Sequence, residues 1–156
     1  GPGPAPGDAV SEARHFRRSF DALPEIFGFT EAFFARQGVD REILKAVDFV
    51  VEELFTNMVK YGAAADPGSE VRIEIEAVGG GVEVVLADSG VEPFDVTKVP
   101  DADTGAPIEE RRPGGLGLHL IRRLVDSWDY EYVVERRESR IRFKKTPAGK
   151  AAQDGP

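Results

Sequence analysis

The sequence predicts an α+β domain, a two-layer α/β sandwich in which helices cover one face of a mostly antiparallel, mixed sheet. Two changes of hydrophobic period carry that reading. Residues 40–62 place apolar side chains at helical spacing, whereas residues 71–87 alternate apolar and polar side chains, as a strand with one wet face does. The helical period returns after Gly117. A third observation is Gly79-Gly80-Gly81 between the two strand-like runs, which marks a tight hairpin. At 156 residues and 41% hydrophobic, the chain suits one compact domain with a real core.

The elements follow in order. Residues 1–9 and 147–156 read as disordered tails around a single domain spanning residues 10–146. Arg14 to Phe20, with Phe16 and Phe20 four apart, reads as a short edge strand, although a helical turn fits the same spacing. Leu23 to Gln37 reads as a helix, with Ile26, Phe27, Phe33 and Phe34 as its apolar residues, Pro24 near its first turn and Gly38 closing it. Asp40 is a good N-cap for a second, long helix. Ile43, Val47, Val50, Val51, Leu54 and Met58 form its apolar stripe, and Gly62 ends it. A turn at Asp66-Pro67-Gly68 leads to the strand Val71 to Ala77, then the hairpin, then the strand from Val82 to Ala87. The second strand loses its alternation near Asp88, so that end is expected to be buried on both faces. A carboxylate there is costly unless something binds it. Glu92 to Pro113 is polar, Pro-rich and without period, the character of a lid or binding loop. Leu118, Ile121, Leu124 and Val125 recur at helical spacing. Two last strands run from Ser127 to Val134 and from Arg140 to Lys144, with a turn near Arg137-Glu138.

Composition excludes several classes. The net charge is −8, which argues against a nucleic-acid binder, since that needs a basic face. It leaves a protein or a small molecule as partner. No apolar run approaches a membrane span, and no basic segment followed by an apolar run marks a leader; a cytoplasmic setting is expected. There is no cysteine, hence no disulfide and no thiolate metal site. His15 and His119 are far apart, so a histidine zinc site is not expected.

Three stretches carry candidate chemistry. In the long helix Glu53 and Asn57 are four apart, on one face and one turn removed. A carboxylate and an amide oxygen are hard ligands suited to Mg²⁺ or to proton transfer; an exposed Glu-Asn pair is the bland alternative. In Asp88-Ser89-Gly90-Val91-Glu92-Pro93-Phe94-Asp95, a strand-end Asp can accept from an exocyclic amine while Gly90 lets backbone pass close to a flat base, though most such stretches are turns. Gly114-Gly115-Leu116-Gly117 opens a helix, where bare backbone and free N–H groups can meet an anion. Each signal is weak alone.

Their order is specific as a set. A helix with E-x-x-x-N, a strand ending D-x-G, a lid and a G-x-G helix start resemble the GHKL (Bergerat) ATP-binding fold, a superfamily that includes histidine kinases and gyrase B. E-E-L-F-T-N-M-V-K-Y-G looks like the N box, D-S-G-V-E-P-F-D like the first glycine box and G-G-L-G-L-H-L-I-R-R-L-V-D like the second. Thr directly before the Asn, P-F-D soon after D-x-G, and G-G-L-G-L-H-L-I resemble one branch, the RsbW-like anti-sigma factor serine-protein kinases of bacterial partner-switching systems. One departure is Lys60-Tyr61, where many relatives carry a His soon after the Asn.

The resemblance implies that ATP and Mg²⁺ bind between the long helix and the lid. Asn57 would ligate Mg²⁺ and Glu53 would act as general base on a partner's serine. Asp88 would accept from the adenine amine, with Gly90 leaving room for the ring. Gly114, Gly115, Leu116 and Gly117 would form the phosphate loop, with backbone N–H groups from Gly115 and Gly117. Arg111 and Arg112 would add charge at the terminal phosphate, unless they are a solvated pair. Thr56 would orient the site, unless its hydroxyl bonds its own helix. The implied partners are a STAS-domain anti-anti-sigma protein, phosphorylated on serine, and a sigma factor or another regulator, with the kinase a homodimer. A non-catalytic ATP-binding switch module is the alternative reading.

Overall fold

The structure, a computed structural model, describes residues 10–62, 68–99 and 115–147, of residues 115 and 116 the backbone alone. The chain runs β1 (Ser11–Arg17), α1 (Leu23–Gln37), α2 (Arg41–Tyr61), β2 (Glu70–Val78), β3 (Gly81–Ser89), α3 (Gly115–Leu124), β4 (Ser127–Val133) and β5 (Glu138–Lys145). Short 3-10 turns interrupt it at Phe20–Ala22, Val96–Lys98 and Val134–Arg136. The five strands form one sheet in the order β1-β2-β3-β5-β4. Every pairing among the described residues is antiparallel, so the mostly antiparallel sheet expected from the alternating runs is present, without a parallel pair in the part described.

Local chemistry accounts for the boundaries. Asp40 caps α2, its carboxylate accepting from Glu42 N at 2.8 Å, which satisfies one of the free N–H groups at the helix start. Gly38 ends α1 at φ 65°, a left-handed C-cap suited to glycine. Val78 pairs with Gly81, so the β2–β3 hairpin closes over Gly79 and Gly80 alone. Both have positive φ, 53° and 81°, as a two-residue turn of the primed kind needs.

The first strand differs from the expected Arg14 to Phe20 and lies at Ser11–Arg17. The chain turns as soon as it passes Arg17: Ser19 N donates to Arg17 O at 2.8 Å, and the Ser19 hydroxyl accepts from Asp21 N at 3.2 Å. The two phenylalanines therefore do not share a face; Phe16 is 1% exposed and Phe20 48%. The edge position is as expected.

The core lies between the sheet and the helices. Val47, Val50, Val51, Leu54 and Phe55 of α2 meet Ile73, Ile75, Val84, Leu86, Ile141 and Phe143 of the sheet, all buried. Ile26 and Phe33 of α1 and Leu118, Ile121 and the following Val125 of the α3 segment complete it. Met58, expected in the α2 stripe, is only partly buried, because it faces an open cleft at the end of the helix. Leu86, Ala87 and Asp88 are buried in succession, the loss of alternation expected at the end of β3. Of the expected tails, all but Pro147 falls outside the described residues, as do residues 100–113 of the expected lid and Asp66-Pro67 of the turn.

Candidate active site

The core-facing stripe of α2 decides which side chains remain for chemistry. With Val50, Val51, Leu54 and Phe55 turned into the core, Glu53 and Asn57 stand half-buried on its flank, while the neighbouring Glu52 points to solvent. Glu53 reaches the start of α3. A Cβ built on Gly117 would lie 2.1 Å from Glu53 Oε2 and 2.6 Å from its Cδ, so the carboxylate fills the space that glycine leaves. Free N–H groups and the positive end of the helix dipole favour a carboxylate in this place.

Asn57 turns its amide back on the helix, Nδ2 donating to Glu53 O at 2.8 Å. That leaves its carbonyl oxygen, the hard donor, for another partner. Thr56 donates its hydroxyl to the same Glu53 carbonyl at 3.2 Å, the in-helix bond that sequence reasoning allowed as its alternative role.

Asp88, at the end of β3, is 5% exposed and stands opposite Val71 of β2 and Ser139 of β5. Its partner is Arg18, from the turn after β1, whose Nη2 donates to Asp88 Oδ1. The same guanidinium donates to Met58 O at 3.2 Å, to Ser69 Oγ at 3.2 Å and to Ser89 O at 3.4 Å. Burial pushes the Asp88 carboxyl above the ordinary carboxylate range, and the hydrogen bond and charge of Arg18 act against that rise. Gly62 gives the guanidinium its place, since a Cβ there would stand 2.4 Å from Arg18 Nη1 and 2.6 Å from Met58 O. Gly90 is required for another reason: it has open space around it but takes φ 74°.

Asp88 and Asn57 open onto one cleft. Leu54 and Met58 of α2, Val91 and Phe94 of the following segment and Ile141 of β5 give it apolar walls, and it holds about 570 Å³ counted out to open solvent. Its outer wall is tied to the β4–β5 hairpin. Tyr132 donates its hydroxyl to Val91 O at 2.6 Å, Phe94 N donates to Tyr130 Oη at 3.0 Å, and Arg137 pairs with Glu92 at 2.7 Å.

The structure thus brings together Glu53 and Gly117 at the helix crossing, and Asp88, Asn57 and Val91 at the cleft. Gly115 opens α3; Arg111, Arg112, Gly114 and the Leu116 side chain lie outside the described residues. His15 is exposed and His119 half-buried on α3. Sequence reasoning missed Arg18, whose partner is 70 residues away, and Tyr130, whose hydroxyl lies 3.0 Å from Ser139 Oγ in the cleft wall. The one available signal was Asp88 itself, a buried strand-end carboxylate that needed a partner. Among the described residues no helix is long and apolar enough to cross a membrane, and no cluster of three or more His, Asp or Glu could hold a metal by itself.

Comparison with known proteins identifies the family. Residues 16–145 match the histidine kinase-like ATPase domain. The serine-protein kinase RsbW of Oceanobacillus iheyensis is 32% identical over 75% of this chain and 78% of its own length. RsbW of Bacillus subtilis is 27% identical over 74% and 77%, and RsbW of Listeria monocytogenes 31% identical over 59% and 60%. A crystal structure of RsbU and RsbW domains from a Mycobacterium tuberculosis protein superposes with a TM-score of 0.61 at 14% identity. The match spans 88% of this chain and 32% of that one, a likeness of fold alone. The chain belongs to the histidine kinase-like ATPase domain family, in its RsbW-like branch of serine-protein kinases.

Proposed function

We propose that this chain is an anti-sigma factor that transfers the γ-phosphoryl group of ATP to a serine of a STAS-domain anti-anti-sigma protein. The observation that carries the reading is the meeting of three separated motifs: Glu53 against Gly117 at the start of α3, and Asn57 one turn on, lining one cleft with Asp88.

The residues fit the ligands. The walls of the cleft are apolar, and Asp88 supplies an acceptor for the adenine amine. Gly90 keeps side-chain bulk away from the ring. The Asn57 carbonyl oxygen would hold Mg²⁺ together with phosphate oxygens, and the metal, when bound, neutralises charge that builds on the phosphates. Glu53 would take the proton from the partner's serine hydroxyl. Gly114, Gly115, Leu116 and Gly117 would present backbone N–H groups to phosphate, with Arg111 and Arg112 beside them. The protein is read as a cytoplasmic homodimer. With the STAS partner unphosphorylated it releases its sigma factor, or another regulator, and after phosphorylation it takes it back.

The test uses purified protein, Mg·ATP labelled at the γ position and a STAS-domain protein offered as the substrate. Glu53→Gln is expected to abolish labelling of the partner while calorimetry still shows ATP binding. Labelling at the wild-type rate by that variant would remove Glu53 as the base. ATP-dependent partner affinity without any transfer by the wild type would instead identify a non-catalytic switch.

A further inference from the structure

Arg18 has no place in the reading above, yet it is the most heavily bonded side chain near the cleft. It comes from the turn after β1 and touches three other parts of the chain: Met58 in the last turn of α2, Ser69 before β2, and Asp88 with Ser89 at the end of β3. Its side chain is 8% exposed and that of Asp88 6%. Asp88 lines the cleft and Arg18 does not. The guanidinium therefore stands behind the wall, and the carboxylate is the wall.

We propose that Arg18 is a positioning residue for nucleobase recognition, holding Asp88 ionised and aimed so that it presents only an acceptor to the cleft. The inference rests on the ATP reading given above. The geometry explains why the task needs an arginine. One fork of N–H groups meets a carboxylate, a hydroxyl and two backbone carbonyls at once, which an ammonium on a flexible stem cannot do. Only Oδ1 of Asp88 accepts from Arg18, and among the described residues nothing bonds Oδ2, which is left for the ligand.

The charge environment makes Arg18 decisive. Across the sheet Asp88 faces Val71 and Ser139, both uncharged, and from α2 it faces Leu54, Asn57 and Met58 around the cleft. Glu92, on the far wall, is paired with Arg137. Among the described residues, Arg18 is the one charged group acting on Asp88 against the effect of burial. Without it, a buried carboxyl takes up a proton at a higher pH. A protonated carboxyl can donate, and so can meet the carbonyl oxygen of guanine; an ionised one accepts only, and selects the exocyclic amine of adenine.

The test is calorimetric titration of the full chain with Mg·ATP and Mg·GTP from pH 5 to pH 8, using wild type, Arg18→Gln and Arg18→Lys. Wild type is expected to bind ATP, losing affinity only toward acid, and to reject GTP. In Arg18→Gln, ATP affinity at pH 7 falls roughly tenfold, the scale of one charge-assisted hydrogen bond. Its loss toward acid sets in at a higher pH than in wild type, and the preference for ATP over GTP narrows. Arg18→Lys keeps the charge and loses the fork, so its ATP affinity falls while its pH profile stays near wild type. Arg18 variants that bind ATP with wild-type affinity, pH profile and base preference overturn the proposal. Should Arg18→Gln fail to fold, an Arg18→Lys protein indistinguishable from wild type overturns it equally. A wild type that binds neither nucleotide removes the nucleotide reading itself, and the role of Arg18 with it, a result distinct from wild-type binding with indifferent variants.

Discussion

Glu53 of α2 and Gly117 of α3 occupy each other's space: a Cβ at Gly117 would stand 2.1 Å from Glu53 Oε2. A glycine in the first turn of the third helix thus fixes where the carboxylate of the second helix lies. Gly117→Ala should separate the two. Alanine raises intrinsic helix propensity by about 1 kcal/mol, and the clash is with the far end of a flexible side chain, which can swing aside. The fold should survive within about 1 kcal/mol of wild type. With Glu53 as the proposed base, phosphotransfer to the partner should fall at least about tenfold, because a misplaced carboxylate loses its reach to the serine hydroxyl. Chemical denaturation and single-turnover labelling read the two effects separately. Adding Glu53→Gln to Gly117→Ala should lower the rate no further than Glu53→Gln alone.

Asn57 predicts a split between metal-dependent and metal-independent binding. Its amide N–H₂ is engaged within α2, at 2.8 Å from Glu53 O, and its carbonyl oxygen is the group left for a cation. Asn57→Ala should weaken Mg·ATP binding about tenfold or more, the scale of losing a charge-assisted contact. It should leave ATP binding in excess EDTA nearly unchanged. Calorimetry with and without EDTA checks this; an equal loss under both conditions would make Asn57 a nucleotide contact and not a metal ligand.

The sequence shows what is periodic and local, and conceals what is long-range. The α2 stripe, the Asp40 cap, the β2–β3 alternation and the two-glycine hairpin each follow from neighbouring residues. Glu53 and Asn57 were legible because one helical turn puts them on one flank. Phe16 and Phe20 misled because a spacing of four says nothing of the Ser19 turn that ends β1 at Arg17. Arg18 was illegible for a deeper reason. Nothing near it distinguishes it from Arg17, and its role is set by Met58, Ser69 and Asp88, which only the closed sheet brings together. Even so, Asp88 signalled the need for a partner.

Asp48 gives a pH-dependent prediction away from the site. It lies between α1 and α2, where Thr30, fully buried, donates its hydroxyl to Asp48 Oδ1 at 2.7 Å. Burial pushes this carboxyl above its ordinary value of 3.8; the Thr30 hydrogen bond opposes the rise and Glu31 and Glu52 add to it. A raised folded-state value means the folded chain holds the proton more tightly than the unfolded one. The stability this contributes is complete below pH 3.8 and is lost as pH rises through the folded value. Asp48→Asn keeps an acceptor for Thr30 and removes that titration. Its stability relative to wild type should therefore improve between pH 3 and pH 7, measured by urea denaturation at both ends; a relative stability that declines over that interval contradicts the shift.

Two glycines outside the site should respond to alanine with opposite signs. Gly28 lies within α1, and a Cβ there meets nothing within 4 Å. Gly28→Ala adds helix propensity and reduces the freedom of the unfolded chain, so it should stabilise by about 0.5–1 kcal/mol. Gly81 opens β3, and a Cβ there would stand 2.0 Å from Lys145 O and 2.6 Å from Thr146 Cα. Those are backbone atoms at the end of β5, which cannot move aside without parting from the pairing of Val82 with Lys145. Gly81→Ala should therefore destabilise by about 1–3 kcal/mol, the range for forced overpacking. Denaturation midpoints of the two variants, moving in opposite directions from wild type with unchanged slopes, would show that the space at each glycine sets the sign. A Gly81→Ala variant as stable as wild type would mean that the β3–β5 junction yields more easily than its contacts imply.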